Sequence, residues 1–202
     1  MGQLPGPRDV LPDGRPQARP DHPGRPGRRD QPDQLDEHQP GQQRRRSYRW
    51  QDPAVSADAA GTMAGLDFLR AIADGTLPAA PIARTLGFDV VSVDPGRVVF
   101  EFTPAEYHYN PIGSVHGGVY ATMCDSACGC AVHSLLPAGA YYTSQDLTVK
   151  FLRAITASTG PLRCEGTVIH LGSRTALAQA SLSDASGKQY AYATSSCLIF
   201  RP

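Results

Sequence analysis

The chain has 202 residues with 19 basic and 19 acidic side chains, and this balance argues against a protein that coats nucleic acid. Residues 1–61 hold 10 of the 18 prolines and 7 of the 20 glycines, but only five residues of the Val, Ile, Leu and Phe type. Such a segment buries too little apolar surface to offset the backbone entropy lost on ordering. The composition therefore predicts a disordered, low-complexity tail over residues 1–62 and one domain over residues 63–202.

The amino terminus lacks the charged, apolar and small-residue regions of a secretory signal, and no uncharged apolar run reaches the roughly 18 residues of a membrane span. We therefore expect a cytoplasmic protein that binds neither membrane nor nucleic acid. The five cysteines are scattered through apolar stretches, and an odd number in such positions is typical of reduced, buried thiols.

The first predicted elements follow the tail directly. Residues 64–74 carry apolar side chains at helical spacing, which predicts a short amphipathic helix. Residues 82–86 predict a single helical turn between two helix-breaking positions. Residues 88–93 and 97–103 are rich in Val and Phe and are separated by an Asp-Pro-Gly turn, so they predict a β-hairpin.

A long helix is predicted over residues 117–136, which are apolar at nearly every angle and include one formally charged residue, Asp125. A helix of this kind is buried, so we expect Asp125 to be buried with it. Four strands are predicted after the helix, joined by short connections: 141–152, 161–171, 174–184 and 189–200. The sequence therefore predicts an α+β fold in which one antiparallel sheet of about six strands wraps around one long helix.

Asp125 is the first candidate catalytic residue, because an ionised carboxylate in an apolar helix needs either a partner or a task. It could meet an arginine at a subunit boundary, or it could act as a general base or nucleophile. His116 precedes Gly117 and Gly118, and free N–H groups at a helix start suit a developing oxyanion. The same glycines could instead serve a tight entry turn.

The spacing of Gly117 and Asp125 bears on the assembly of the protein. They are eight residues apart, so they lie about 12 Å apart along one helix axis, and they cannot both touch one carbonyl group. If both belong to one reaction centre, the carboxylate comes from a second copy of the chain, antiparallel across a two-fold axis. The spacing therefore predicts an obligate dimer with two shared sites.

Four potential metal ligands lie on the same predicted helix: Cys124, Cys128, Cys130 and His133. Structural zinc usually takes paired ligands from two segments of chain, and no second pair is present, so we interpret the thiols as packing residues and expect no metal. The chain has neither a glycine-rich phosphate loop nor a dinucleotide fingerprint, so ATP and NAD are not indicated.

The ordered set of Asn110, His116-Gly117-Gly118 and Asp125 resembles the hotdog-fold acyl-CoA thioesterases of the phenylacetic-acid-degradation type. The resemblance covers about residues 64–200 and includes the strand that contains Ser144. It implies a sheet wrapped around a helix, a homodimer or a dimer of dimers, and an enzyme that hydrolyses acyl-CoA thioesters to a free acid and coenzyme A. Coenzyme A is then part of the substrate, so no separate cofactor is implied.

The same resemblance implies a role for each matched residue. Asp125 is the general base or nucleophile, and the backbone N–H of Gly117 polarises the thioester carbonyl. Asn110 helps to orient the catalytic groups, His116 lies beside the oxyanion hole, and Ser144 positions water.

Further residues are candidates for binding the substrate: Gly118, Thr143 as the alternative to Ser144, and the basic residues Lys150, Arg153 and Arg174. The three basic residues could equally be solvated surface charges. Two alternative functions are a non-catalytic acyl-CoA-binding hotdog protein and an enoyl-CoA hydratase-like enzyme. Such hydratases usually pair the Asp with a His a few residues along the chain, and residues 126–128 contain none.

Overall fold

The structure, a computed structural model, describes residues 41–202. The part of the predicted tail over residues 1–40 lies outside the described residues. The helices are α1 Pro53–Thr62, α2 Gly65–Ala73, α3 Pro81–Leu86 and α4 Gly117–His133. The strands are β1 Phe88–Asp94, β2 Arg97–Phe102, β3 Tyr141–Ser144, β4 Thr148–Phe151, β5 Leu162–Leu171, β6 Thr175–Asp184 and β7 Gln189–Phe200. None of these helices is long and apolar enough to cross a membrane.

The strands form one antiparallel sheet in the order β1-β2-β5-β6-β7-β3, and β4 also pairs with β7. Helix α4 packs across one face of this sheet, where it contacts β2, β5, β6 and β7. The predicted α+β architecture, with a sheet around one long helix, is confirmed. Strands β3 and β4 together correspond to the one predicted strand over residues 141–152.

Helix α4 lies unusually close to the sheet because small residues face each other across the contact. A Cβ atom on Gly166 of β5 would lie 2.1 Å from the carbonyl oxygen of Ala127. The buried residues of α4 that pack here are also small or unbranched, as are their partners on β6 and β7: Met123, Cys124, Ala127, Cys128, Ala178, Ala180, Ala191 and Ala193. The glycine in β5 therefore sets the depth at which the helix sits.

The predicted hairpin is confirmed, and its turn depends on one glycine. Gly96 has a φ of 74°, in the left-handed region that an L side chain rarely adopts. The pairing of β1 with β2 shifts register between Val90 and Ser92, so Val91 forms a β-bulge. The helical turn predicted over residues 82–86 is present as α3.

Helix α4 ends at His133, three residues earlier than predicted. The hydroxyl of Ser134 donates to the carbonyl of Ala131 at 2.7 Å and accepts the N–H of Gly96 at 2.8 Å. Ser134 therefore ties the end of the helix to the hairpin turn, while Pro137 beyond it cannot donate a helical hydrogen bond.

The predicted strand over residues 141–152 is interrupted at residues 145–147, which no periodicity in the sequence indicated. The Oδ1 atom of Asp146 accepts the N–H of Ser196 at 3.0 Å, and the carbonyl of Asp146 accepts the hydroxyl of Ser195 at 2.8 Å. These bonds draw the chain out of the regular ladder between β3 and β4.

The structure adds helix α1 within the stretch predicted as a disordered tail. The side chain of Asp52 accepts the N–H of Ala54 at 3.0 Å, and Pro53 occupies the first helical position, where its missing N–H is no loss. No residue of α1 is buried. The composition missed this helix because capping is local and needs no apolar core. The domain boundary at residue 63 stays a prediction.

Candidate functional site

The entry of α4 is capped by the side chain that precedes it. The Nδ1 atom of His116 accepts the N–H of Gly118 at 2.9 Å, so this nitrogen is unprotonated and the imidazole serves as the N-cap. His116 is exposed. The N–H of Gly118 is therefore occupied and is not available to a substrate.

The N–H of Gly117 remains available. Among residues 41–202, no acceptor contacts this N–H within hydrogen-bonding distance. It lies at the positive end of the helix dipole, where a negative charge is stabilised. The oxyanion hole predicted from the sequence thus has one backbone donor available, the N–H of Gly117. The N–H of Gly118 bonds to the helix cap instead.

Asp125 lies eight residues further along α4 and is exposed in the single chain, so the prediction that it is buried is wrong. The prediction assumed that the sheet covers the helix on all sides. Instead, one face of α4 around Gly118, Thr122, Asp125 and Ser126 is not covered. No basic side chain of the described residues pairs with Asp125.

Among residues 41–202, one side chain forms a hydrogen bond with the Asp125 carboxylate, and it belongs to a predicted site residue. The hydroxyl of Ser144 donates to Oδ1 of Asp125 at 3.1 Å. Ser144 pairs with Cys197 of β7 and faces α4, whereas Thr143 pairs with Leu198 and faces the opposite side of the sheet. The structure therefore brings Ser144 and Asp125 together and directs Thr143 away from them.

Asn110 shapes the loop before α4. Its Oδ1 accepts the N–H groups of Ile112 and Ser114 at 3.0 and 3.3 Å, and its Nδ2 donates to the hydroxyl of Ser114 at 3.1 Å. Gly113 completes the turn with a φ of 86°. These hydrogen bonds of Asn110 hold the conformation of the loop that leads to His116.

Two contacts join α4 to the β3–β4 edge of the sheet, and we call the stretch of surface between these contacts the groove. At one end Ser144 meets Asp125, as described. At the other end, the ring of Phe151 packs on Gly117: a Cβ atom on that glycine would lie 3.2 Å from Cζ of the ring. Gly117 and Asp125 themselves remain about 12 Å apart along the axis of α4, so a single chain does not unite them.

A cleft of about 380 Å³ opens beside Gly117, and we call it the Gly117 cleft. It is lined by Ser114, Val115, Gly117, Tyr120, Phe151, Leu152, Arg153 and Ala154. The hydroxyl of Tyr120 donates to the carbonyl of Arg153 at 3.1 Å, which fixes the back of the cleft. Burial raises the pKa of Tyr120, so the phenol stays neutral at physiological pH.

The three basic candidates lie in different places. Arg153 lines the Gly117 cleft and donates to the carbonyl of Gln189. Lys150 pairs with Tyr192 on the face of the sheet that points away from α4, so its proximity to the cleft is not supported. Arg174 lies in the turn between β5 and β6 and is exposed.

Sequence reasoning missed Phe151 because the interruption of the edge strand changes the alternation of side chains. Counting inward from Ser144 in steps of two reaches Lys150, but the residues at 145–147 shift the pattern by one. Val149 and Phe151, opposite the buried Ala193 and Ala191, therefore face the helix. No pattern in the sequence signalled this shift, because it depends on hydrogen bonds between Asp146 and β7.

The cysteines offer no nucleophile at the site. Burial raises the pKa of the Cys128 thiol to about 12, and it also raises the pKa of Cys197. The pKa of Cys164 is raised by a hydrogen bond with Cys124 and by burial. All five cysteines are free, four of them are buried, and Cys130 is half-buried. The interpretation of buried packing thiols is confirmed for those four.

Comparisons with known proteins agree with this fold. A family model described as the thioesterase superfamily matches residues 112–191, which include α4 and strands β3 to β6. A solved protein from the thioesterase superfamily is 30% identical with a TM-score of 0.55; the match covers 66% of this chain and 97% of that one. A phenylacetic-acid-degradation-related protein of Ralstonia eutropha JMP134 is 29% identical with a TM-score of 0.59, over 64% and 98% of the two chains.

Curated relatives match shorter stretches. Acyl-coenzyme A thioesterase 13 of Homo sapiens is 39% identical over 59 residues, which cover 29% of this chain and 42% of that protein. A Halobacterium salinarum protein named as an esterase is 35% identical over 97 residues, which cover 44% of this chain and 62% of that protein. The chain thus spans less than two thirds of these curated relatives. Because the solved thioesterase-superfamily protein is matched over nearly its full length, the chain belongs to the thioesterase superfamily.

Proposed function

We propose that the protein hydrolyses acyl-CoA thioesters to a free acid and coenzyme A. The observation that carries this proposal is that α4 presents two different groups. The carboxylate of Asp125 accepts a hydrogen bond from Ser144, and the backbone N–H of Gly117 at the helix start has no acceptor among residues 41–202. A base and an oxyanion donor are the two groups that attack of water on a thioester needs. Membership of the thioesterase superfamily supports the same reaction.

The reaction needs two proton transfers, and Asp125 can serve both. Asp125 takes a proton from a water molecule as the water oxygen bonds to the thioester carbon. The carbonyl oxygen becomes an oxyanion that accepts the N–H of Gly117. Collapse of this intermediate breaks the carbon–sulfur bond, and the departing thiolate takes the proton from Asp125. Ser144, which donates to Oδ1, holds the carboxylate in place.

The complete site requires two copies of the chain. A two-fold axis through the groove would place Asp125 and Ser144 of one copy beside Gly117 and Phe151 of the other. The uncovered face of α4 and the unpaired edge of β3 and β4, open among the described residues, are the surfaces that such a pairing would cover. We therefore propose a homodimer with two shared sites, on which a dimer of dimers can build.

The test removes each half of the site separately. Gly117→Pro deletes the donor N–H at a position where the helix tolerates proline, and His116 already has an extended conformation with φ −62° and ψ 139°. Gly117→Ala is the matched control, because it adds a Cβ against Phe151 but keeps the N–H. Asp125→Asn keeps the shape of the other half and removes the base.

Release of free thiol is followed with short, medium, long and aryl acyl-CoA substrates. We expect wild type and Gly117→Ala to be active, and Gly117→Pro to lose about 100-fold or more in kcat, as for loss of an oxyanion donor. Asp125→Asn should lose at least as much. A wild-type protein that binds these substrates without hydrolysing any of them would instead be a non-catalytic binding module. Full activity of Asp125→Asn would refute the site assignment.

A further inference from the structure

Phe151 has an unusual position for a large apolar side chain. It is 58% exposed, yet its ring packs on the backbone of Gly117, with ring carbons 3.2, 3.4 and 3.8 Å from where a Cβ atom of that glycine would lie. An exposed aromatic ring against a backbone donor is not explained by the core, because the ring faces the open Gly117 cleft.

One side of the Phe151 ring contacts a buried tyrosine. Tyr120 packs against it edge to face, with ring centroids 5.5 Å apart and an interplanar angle of 88°. Tyr120 is 4% exposed, and its hydroxyl is bonded to the carbonyl of Arg153. Phe151 also ends β4, where it pairs with Ala191. The buried Tyr120 and the end of β4 therefore place the ring beside Gly117, and we call the ring the wall of the cleft.

The wall lies where the substrate carbonyl must come. A carbonyl oxygen that accepts the N–H of Gly117 puts its carbon about 4 Å from the glycine nitrogen. The ring edge of Phe151 lies against the same residue, so it flanks the groups attached to that carbon. The wall itself, the ring of Phe151, presents only carbon atoms, and the nearby Tyr120 hydroxyl is already hydrogen-bonded to the carbonyl of Arg153. A hydrocarbon suits such a surface better than the amide-bearing thiol arm of coenzyme A.

Building on the thioesterase function proposed above, we propose that Phe151 is a specificity-determining residue whose ring packs against C2 of the acyl group and rejects acyl groups branched there. An unbranched C2 leaves the carbonyl free to reach Gly117. A second substituent on C2 meets a ring that Tyr120 prevents from yielding. The cleft of about 380 Å³ lies at the lower end of the range for small-ligand pockets.

The test compares butyryl-CoA with isobutyryl-CoA, which have the same atoms but differ in branching at C2. We expect the wild type to prefer butyryl-CoA in kcat/KM, and Phe151→Ala to shift the ratio towards isobutyryl-CoA by about tenfold or more, the range for one methyl group in a pocket. Phe151→Leu, which keeps part of the bulk, should fall between them. Tyr141→Ala is the matched control, because Tyr141 is 59% exposed on the same edge of the sheet but stacks on Phe200 at 4.7 Å.

A ratio that moves no further in Phe151→Ala than in Tyr141→Ala overturns the proposal, and so does an equal loss on both substrates. Binding of the two ketone analogues, in which a methylene replaces the sulfur, separates this proposal from the proposed function. If the wild type hydrolyses none of the short, medium, long and aryl acyl-CoA substrates but binds the unbranched analogue more tightly, and Phe151→Ala removes that preference, the thioesterase function fails and the role of Phe151 stands. Equal binding of both analogues by the wild type overturns the role of Phe151.

Discussion

At the scale of single residues, the site depends on which side chain occupies which hydrogen bond. His116 takes the N–H of Gly118, which leaves the N–H of Gly117 as the donor at the helix start. Ser144 gives its hydroxyl proton to Asp125. Each of these polar groups thus makes a different hydrogen bond, and a change in any of them should lower kcat more than it changes KM.

Ser144→Ala tests the support given to Asp125. We expect kcat to fall by roughly 10- to 100-fold with little change in KM, because the carboxylate loses its orienting donor while the cleft is unchanged. Steady-state kinetics on one acyl-CoA substrate measures both constants. Thr143→Ala is the control, since Thr143 neighbours Ser144 but faces the other side of the sheet. Equal effects of the two substitutions would contradict the pairing of Ser144 with Asp125.

The sequence proposed these candidate residues but not their surroundings. The His-Gly-Gly segment, its spacing to Asp125 and the family resemblance were enough to nominate them, and their catalytic roles stay predictions. Exposure of Asp125 was not predictable, because an apolar helix reads the same whether its own sheet or a second copy covers it. The choice between Thr143 and Ser144 required the register of β3 on β7, which a single strand sequence does not determine.

At the scale of elements, the contact between α4 and β5 sets the position of the site. The carbonyl of Ala127 lies where a Cβ on Gly166 would be, so the helix and strand backbones touch. Asp125 is two residues from Ala127. Ser144, at the end of β3, donates a hydrogen bond to its carboxylate. A displaced helix would therefore separate the carboxylate from its hydroxyl partner.

Gly166→Ala should lower the free energy of unfolding by about 1–3 kcal/mol, because the added methyl group forces α4 away from the sheet. Denaturant unfolding measures this change. Gly61→Ala is the control, because nothing lies within 4 Å of a Cβ there and alanine favours helix. A Gly166→Ala protein as stable as Gly61→Ala would disprove close contact at this point.

The buried His133 at the end of α4 leads us to expect that the protein loses stability in acid. Both ring nitrogens of His133 are buried without a hydrogen-bond partner among the described residues, and the ring packs between Phe68 and Tyr142. Burial lowers the pKa of His133 below its usual 6.5. As the pH falls below about 6.5, the unfolded chain binds a proton that the folded chain does not, so the folded state loses stability.

His133→Phe should remove that part of the pH dependence. The free energy of unfolding of the wild type should decrease relative to the variant by at most about 1.4 kcal/mol per pH unit, beginning near pH 6.5 and ending at the lowered pKa of His133. Unfolding curves between pH 8 and pH 5 provide the measurement. His170→Phe, which replaces an exposed histidine of β5, is the control. Parallel pH profiles of wild type and His133→Phe would exclude His133 as the cause.

Most elements were predictable because prolines and glycines mark their ends. The hairpin, α4 and the last three strands follow this punctuation. The interruption at residues 145–147 was not predictable, since it depends on Asp146 bonding to Ser195 and Ser196 of a distant strand. It is also the reason why Phe151, and not Lys150, faces the helix start.

At the scale of the whole molecule, the proposed homodimer with two shared sites makes a specific prediction for mixed dimers. Asp125→Asn and Gly117→Pro should each be inactive alone. In a mixed dimer, one site carries both defects and the other carries neither. Co-expression in equal amounts should therefore restore about a quarter of the wild-type activity, since half of randomly assembled dimers are mixed and each has one intact site. Activity that stays at the level of the separate variants would show that each site lies within one chain.

The two outer edges of the sheet differ in a way that limits how far the protein can assemble. Strand β1 carries the bulge at Val91 and outward-facing Asp89 and Asp94, features that discourage pairing with another strand. The β3–β4 edge has exposed Tyr141 and Phe151 instead. In the proposed dimer, joining two such edges antiparallel would cover both and leave only the bulged, charged β1 edges outside, where Asp89 and Asp94 pair with Arg84 and Arg97. Growth of a continuous β-sheet would then stop at two chains, so the proposed dimer could use an apolar edge at its site without forming fibres.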